Sequence, residues 1–123
     1  MGDRMLRVLV VDDRLDFRQA FASMLGSQPD MEVVAQAGSL AEARPMLEGV
    51  DVALLDRGLP DGDGLKLMRP LRDANPHARV FVMSATVEMR HPEDAIEAGA
   101  DGVIDKLDVP ERVFALIRGE GGG

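Results

Sequence analysis

Residues 6–13 read LRVLVVDD, an apolar run rich in β-branched residues that closes on two aspartates. Three later runs close in a similar way: VDVALL before Asp56, RVFVM before Ser84 and GVID before Lys106. In a parallel sheet the carboxyl ends of the strands lie along one edge, so residues that end successive strands converge on one cleft however far apart they lie in sequence. Asp12, Asp13, Asp56, Ser84 and Lys106 are therefore expected to meet in one site assembled from four places in the chain.

Outward from these runs, short β-branched stretches alternate with amphipathic ones five times, the βα repeat of a doubly wound parallel sheet. Strands are expected near Arg7 to Val11, Glu32 to Ala37, Val52 to Asp56, Val80 to Ser84 and Gly102 to Asp105. Helical spacing links Phe17, Phe21, Met24 and Leu25, then Leu40, Ala43 and Leu47, and finally Val109, Val113, Leu116 and Ile117. These faces should pack on the sheet. Ser39 with Glu42 and Asp108 with Glu111 have capping-box spacing, and Pro110 suits a first turn, so helices are expected to start at Ser39 and Asp108. Pro45 and Pro70 fall inside helical patterns and predict a kink or an early end. The terminal GEGGG, residues 119–123, reads as the opening of a flexible linker, which leaves residues 1–118 as one domain.

With 123 residues the chain is long enough to bury one core and too short for a catalytic domain with a substrate cap. Aromatic residues make up only 3%, so the core must be filled by aliphatic side chains and Met; Met24, Met46, Met68 and Met83 read as gap-fillers. A formal net charge of -8, with scattered basic residues, gives no support for binding a phosphate backbone. This chain alone is not expected to bind DNA or RNA. The absence of cysteine rules out disulfides and thiolate metal sites. The apolar part of the N-terminus is too short for a signal peptide or a membrane span, so a soluble cytoplasmic protein without a membrane partner is expected.

Three carboxylates brought within a few ångströms repel one another, each pair by about 4 kcal/mol at ~4 Å and an effective dielectric of ~20. An all-oxygen site without His or Cys, with few protein ligands and room for water, favours Mg²⁺ over Ca²⁺. Lys106 would supply a second positive charge. These parts suit phosphoryl transfer to a carboxylate, with metal and lysine neutralising the phosphoryl oxygens. Asp56 is the best nucleophile, because it stands alone at its strand end while Asp12 and Asp13 are better placed to hold metal. The run from Asp61 to Gly64 is not an EF-hand, since Arg72 stands where that loop needs Glu; it reads as a turn with an N-cap at Asp63. His77 and His91 lie in polar stretches and read as solvated.

The ordered set VVDD, LLDRGLPDGDG, MSA and DGVIDK resembles the receiver domain of two-component response regulators over essentially the whole chain. The resemblance implies a flavodoxin-like fold, with a five-stranded parallel sheet in the order 2-1-3-4-5 and five helices. It implies that Asp56 accepts a phosphoryl group from a histidine kinase. It further implies that Asp13, Asp56 and the carbonyl of Gly58 ligate Mg²⁺, with Asp12 acting through water. Ser84, Lys106 and the backbone N–H groups of Arg57 and Ala85 would contact the phosphoryl group. The stretch KLDVPERV resembles the subfamily with a LuxR-type helix-turn-helix, which implies DNA binding through a separate output domain. Homodimers would form through the fourth helix, fifth strand and fifth helix, or through the first and fifth helices.

The chain departs from the family pattern at four places. Arg57 replaces an apolar residue and should add a cation near the cleft mouth. Gly58 offers no side chain to steer water, Val103 replaces a switching Tyr or Phe, and Leu107 replaces a frequent proline. With Val103 too short and stiff to switch, activation should appear as displacement of the segment from Ala85 to Pro92 and the helix after it. A phosphatase of the haloacid dehalogenase type is the enzymatic alternative. It needs two aspartates two residues apart after the first strand, whereas Asp12 is followed by Asp13, Arg14 and Leu15. A receiver-like interaction module without phosphorylation is the other alternative, and the complete set of site residues argues against it. No activity beyond self-phosphorylation and autodephosphorylation is expected.

Overall fold

The computed structural model describes residues 5–84 and 92–119. Five strands, β1 (Leu6–Val11), β2 (Met31–Ala37), β3 (Val52–Asp56), β4 (Arg79–Ser84) and β5 (Gly102–Asp105), all pair in parallel in the order β2-β1-β3-β4-β5. The inner strands read as unbroken apolar runs because both sheet faces are covered: Val8 to Val11, all of β3, and Val80 to Ser84 are buried. Edge strand β2 pairs with β1 through a register shift, Val8 opposite Val33 and Leu9 opposite Ala35, and exposes Glu32 and Gln36.

The two-residue period of each strand sorts these side chains into two layers. Leu9, Val11, Ala53, Leu55, Val80 and Val82 pack beneath helices α2 (Leu40–Ala43), α3 (Met68–Ala74) and α4 (Pro92–Glu97). Val8, Val10, Leu54, Phe81, Met83 and Ile104 face α1 (Leu15–Gly26) and α5 (Pro110–Arg118), which contribute Phe21, Leu25, Val113, Phe114 and Ile117. The chain therefore has the expected doubly wound order and five helices. Expected and observed strands differ by at most one residue at an end. The polypeptide winds in opposite senses from β1 to β2 and from β1 to β3, so the crevice beyond the carboxyl ends of β1 and β3 is the topological switch point.

Ser39 does start α2, its hydroxyl accepting from Glu42 N–H at 3.1 Å. The reciprocal half of the box lands one residue earlier, on Gly38 N–H, at 2.7 Å from Glu42 Oε1. Past Ala43 the chain tightens into a 3₁₀ turn, Arg44–Met46, the early end that Pro45 predicts. The start of α5 differs from expectation. Asp108 does not cap α5: Val109 is the N-cap and Pro110 the first helical residue. A residue before proline is driven into the extended region, as Val109 is at φ -69° and ψ 145°, so the helix begins only after it. Asp108 instead pairs with Arg112 at 3.5 Å, and Val109, expected on the apolar face, is exposed. Pro70 does not end α3, which runs on to Ala74. The chain enters this helix from a 3₁₀ turn, Gly64–Leu67, which puts Pro70 in the first α-helical turn, where proline is tolerated.

The last helix is fastened at the amino-terminal edge of the sheet. Arg79, the first residue of β4, donates to the carbonyls of Ile117 and Leu116, the latter at 2.8 Å. Gly119 then takes the left-handed conformation at φ 80°. Arg118 holds both carboxylate oxygens of Asp30, at 2.7 and 2.8 Å, and Gln28 Oε1 at 2.8 Å. No helix among the described residues is long and apolar enough to cross a membrane.

Candidate functional site

Each described site residue lies where its strand ends. Asp12 follows β1 and is fully buried, Asp13 next to it is exposed, and Asp56 ends β3 with 7% of its surface accessible. One carboxylate oxygen from each of the three lies within 4.8 Å of the others. Asp12 is held by its neighbours: Oδ1 accepts from Arg14 N–H at 2.9 Å, and its carbonyl accepts from Arg18 Nη1 at 2.9 Å. Asp56 Oδ1 accepts from Gly58 N–H at 3.2 Å.

Lys106, in the turn after β5, reaches back across the cleft. Its Nζ lies 2.8 Å from Asp12 Oδ2, 3.4 Å from Asp56 Oδ2, and 5.1 Å from the centre of the Phe17 ring, which itself stacks on Phe21. Burial pulls the Lys106 pKa down, but contact with Asp12 and the charge of Asp56 outweigh it, so the net shift is upward. Lys106 is therefore a fixed cation. Asp56 shifts upward as well, first because burial penalises its charged form. The charge of Asp12 adds to this, while the Gly58 N–H and Lys106 pull the other way. One lysine thus offsets only part of the repulsion.

Asp12 Oδ2 is buried and has an ion-pair contact with Lys106 but no aligned hydrogen bond. An all-carboxylate donor set with such an oxygen fits a hard divalent cation.

Ser84 ends β4 beside the cleft, 9% accessible and in register with Asp105; its carbonyl accepts from Lys106 N–H at 2.9 Å. Val103 is partly buried against the α2, α3 and α4 layer. Ala85 and the segment up to His91 lie outside the described residues. His77 is exposed in the α3–β4 loop, as expected. Arg57, the first residue after β3, is paired: Asp63 Oδ2 accepts from its Nε at 3.2 Å and its Nη2 at 2.9 Å.

Three supporting residues escape sequence reasoning. Asp61 accepts from Leu40 and Ala41 N–H at 2.8 and 3.0 Å, binding the β3–α3 loop to the start of α2; no local motif marks a cap donated from 21 residues away. Arg18 clamps the carbonyl of Asp12 from the first helix. Gly64 is obligatory, since a Cβ there would lie 2.1 Å from the backbone oxygen of Asp56. Its signal was available: a glycine directly after the capping Asp63, whose carboxylate does accept from Leu65 N–H at 2.9 Å.

The family model for the response regulator receiver domain matches residues 8–118. The chain belongs to that family. Among curated relatives it is 38% identical over 104 residues to the DNA-binding transcriptional activator DevR/DosR of Mycobacterium tuberculosis, an alignment covering 83% of this chain and 48% of that protein. It is 36% identical over 112 residues to a protein-glutamate methylesterase/protein-glutamine glutaminase of Chromobacterium violaceum, covering 89% of this chain and 31% of that protein. The receiver domain of the regulator NarL from M. tuberculosis superposes with a TM-score of 0.82 at 29% identity, covering 98% of this chain and 99% of the other. This receiver domain thus spans about half the length of the transcription regulator and less than a third of the length of the methylesterase that it matches. Two-component regulators of transcription, including the NarL and LuxR types, are among its relatives.

Proposed function

We propose that this receiver domain is a phosphorylation switch in which Asp56 accepts a phosphoryl group from a histidine kinase. The observation that carries the reading is the meeting of Asp12, Asp13 and Asp56 within 4.8 Å, with Lys106 spanning two of them. In the proposed step an Asp56 carboxylate oxygen attacks phosphorus, an acyl-phosphate P–O bond forms, and the P–N bond to the donor imidazole breaks. The imidazole departs with a proton. Asp12, Asp13, Asp56 and the Gly58 carbonyl would hold Mg²⁺, which when bound supplies positive charge to the phosphoryl oxygens. Lys106 is positioned to follow charge from the carboxylate to the new phosphate. The Ser84 hydroxyl and the N–H groups of Arg57 and Ala85 would donate to the remaining oxygens.

In this reading the protein turns over no separate substrate; it phosphorylates itself from donors and loses the phosphate by hydrolysis. Residues 1–118 form the switch and residues 119–123 open a linker. DNA binding belongs to a separate output domain, homodimers use α4, β5 and α5 or α1 and α5, and the setting is cytoplasmic. Incubation with acetyl phosphate and Mg²⁺, read by intact mass, should give one phosphoryl adduct in the wild type and none in Asp56→Asn. An adduct retained in the variant at wild-type level would place the acceptor elsewhere.

A further inference from the structure

The loop between β3 and α3 carries the two backbone positions that follow the proposed acceptor, Arg57 and Gly58, yet little packs on it there. Gly58 is exposed, and a Cβ built on it would meet nothing within 4 Å. Its conformation is therefore not set by its own packing, and glycine is the residue with most freedom to lose. Leu59 anchors the loop in the core, and its other restraints are polar. Gly62 N–H donates to Leu59 carbonyl at 3.3 Å, closing the tip, and Asp61 binds the start of α2. The base is closed by Asp63, whose Oδ1 caps Leu65 N–H while its Oδ2 takes both Nε and Nη2 of Arg57. One carboxylate thus fixes the entry to α3 and grips the residue next to Asp56. The Gly58 N–H inside this ring is the group that donates to Asp56 Oδ1.

We propose that the Arg57–Asp63 ion pair is a latch that sets the backbone of Arg57 and Gly58, so that Arg57 is a positioning residue for Asp56 and not a binder of the anionic donor. The proposal rests on Asp56 being the acceptor. The geometry supports it, because the guanidinium gives two hydrogen bonds, from Nε and Nη2, to the one Asp63 carboxylate oxygen. The fixed charge that sequence places near the cleft is thereby committed to a neighbouring carboxylate.

The test uses Arg57→Ala, Asp63→Asn and the double variant in the otherwise intact chain. Asparagine keeps a capping oxygen for Leu65 N–H while removing the charge that grips Arg57. In Mg²⁺-free protein, the Gly58 amide should shift in the same direction and exchange faster in both single variants. With acetyl phosphate and Mg²⁺, intact-mass kinetics should show each single variant slowed by roughly 1.5-fold to 5-fold, the range an exposed ion pair is worth. The double variant should be no slower than either single one, because the contact is already lost. Three results overturn the latch: an unmoved Gly58 amide in both variants, slowing by Arg57→Ala alone, or single effects that multiply in the double. A wild type that takes no phosphoryl group would refute the acceptor reading, and the Gly58 amide would still decide the latch.

Discussion

Asp56 meets two demands that pull in opposite directions. A phosphoacceptor must be ionised to attack, while burial and the charge of Asp12 disfavour its ionised form. Its upward shift has a definite sign in stability. A carboxyl whose folded pKa exceeds its unfolded value contributes stability that is fully present below the unfolded value, 3.8, and is lost as pH rises through the raised folded value. At neutral pH the ionised Asp56 therefore opposes folding of the metal-free protein. Asp56→Asn should raise the urea midpoint at pH 7, and the advantage should shrink as pH falls towards 4. Equal midpoints at pH 7 would mean that Lys106 and the Gly58 N–H already cancel the penalty. That strand-end aspartates meet a lysine was legible in the sequence, because each sits where an apolar run stops. The partner of Arg57 was less so, because only the folded loop brings Asp63 to it.

Among the described elements, α2 is the shortest α-helix and gets its definition from outside itself. Ser39 supplies one cap, and Asp61, from a loop on the far side of β3, supplies two more acceptor contacts to Leu40 and Ala41. Those two hydrogen bonds, first to Leu40 and then to Ala41, hold the Asp61 carboxyl below its ordinary range. Its contribution is therefore present above 3.8 and lost as pH falls through the lowered folded value. Asp61→Ala should speed amide exchange at Leu40 and Ala41 several-fold at neutral pH, with the difference from wild type vanishing in strong acid. Unchanged exchange would show that Ser39 suffices. Strands were readable to within a residue because two-sided burial writes itself as continuous apolar runs. The start of α5 was misread because two local signals competed, and the fixed geometry around Pro110 overrode the spacing of Asp108 and Glu111. Contacts such as Arg118 with Asp30, 88 residues apart, have no local pattern to read.

For the whole molecule, like charges at the cleft work against a core that otherwise favours folding. A cation that binds only the native state should relieve this: at ten times its Kd, Mg²⁺ should add about 1.4 kcal/mol. For a domain of this size that is a rise in melting temperature of several degrees, reversed by chelator. Asp13→Asn should lose most of the rise while melting slightly higher than wild type without metal. A wild type indifferent to millimolar Mg²⁺ would contradict the metal reading. The anchoring of α5 has a mechanical consequence. Arg79, Arg118 and Asp30 pin its last turn beside the amino-terminal edge of the sheet, whereas its first turn follows closely on Lys106. The helix is a strut with a fixed foot and a head beside the chemistry. Chain continuing past Gly119 would leave from the foot, one strand length from the cleft, about 17 Å for five residues. A small displacement at the head would then be felt downstream as a change of tilt about a stationary pivot, with the point of departure itself unmoved.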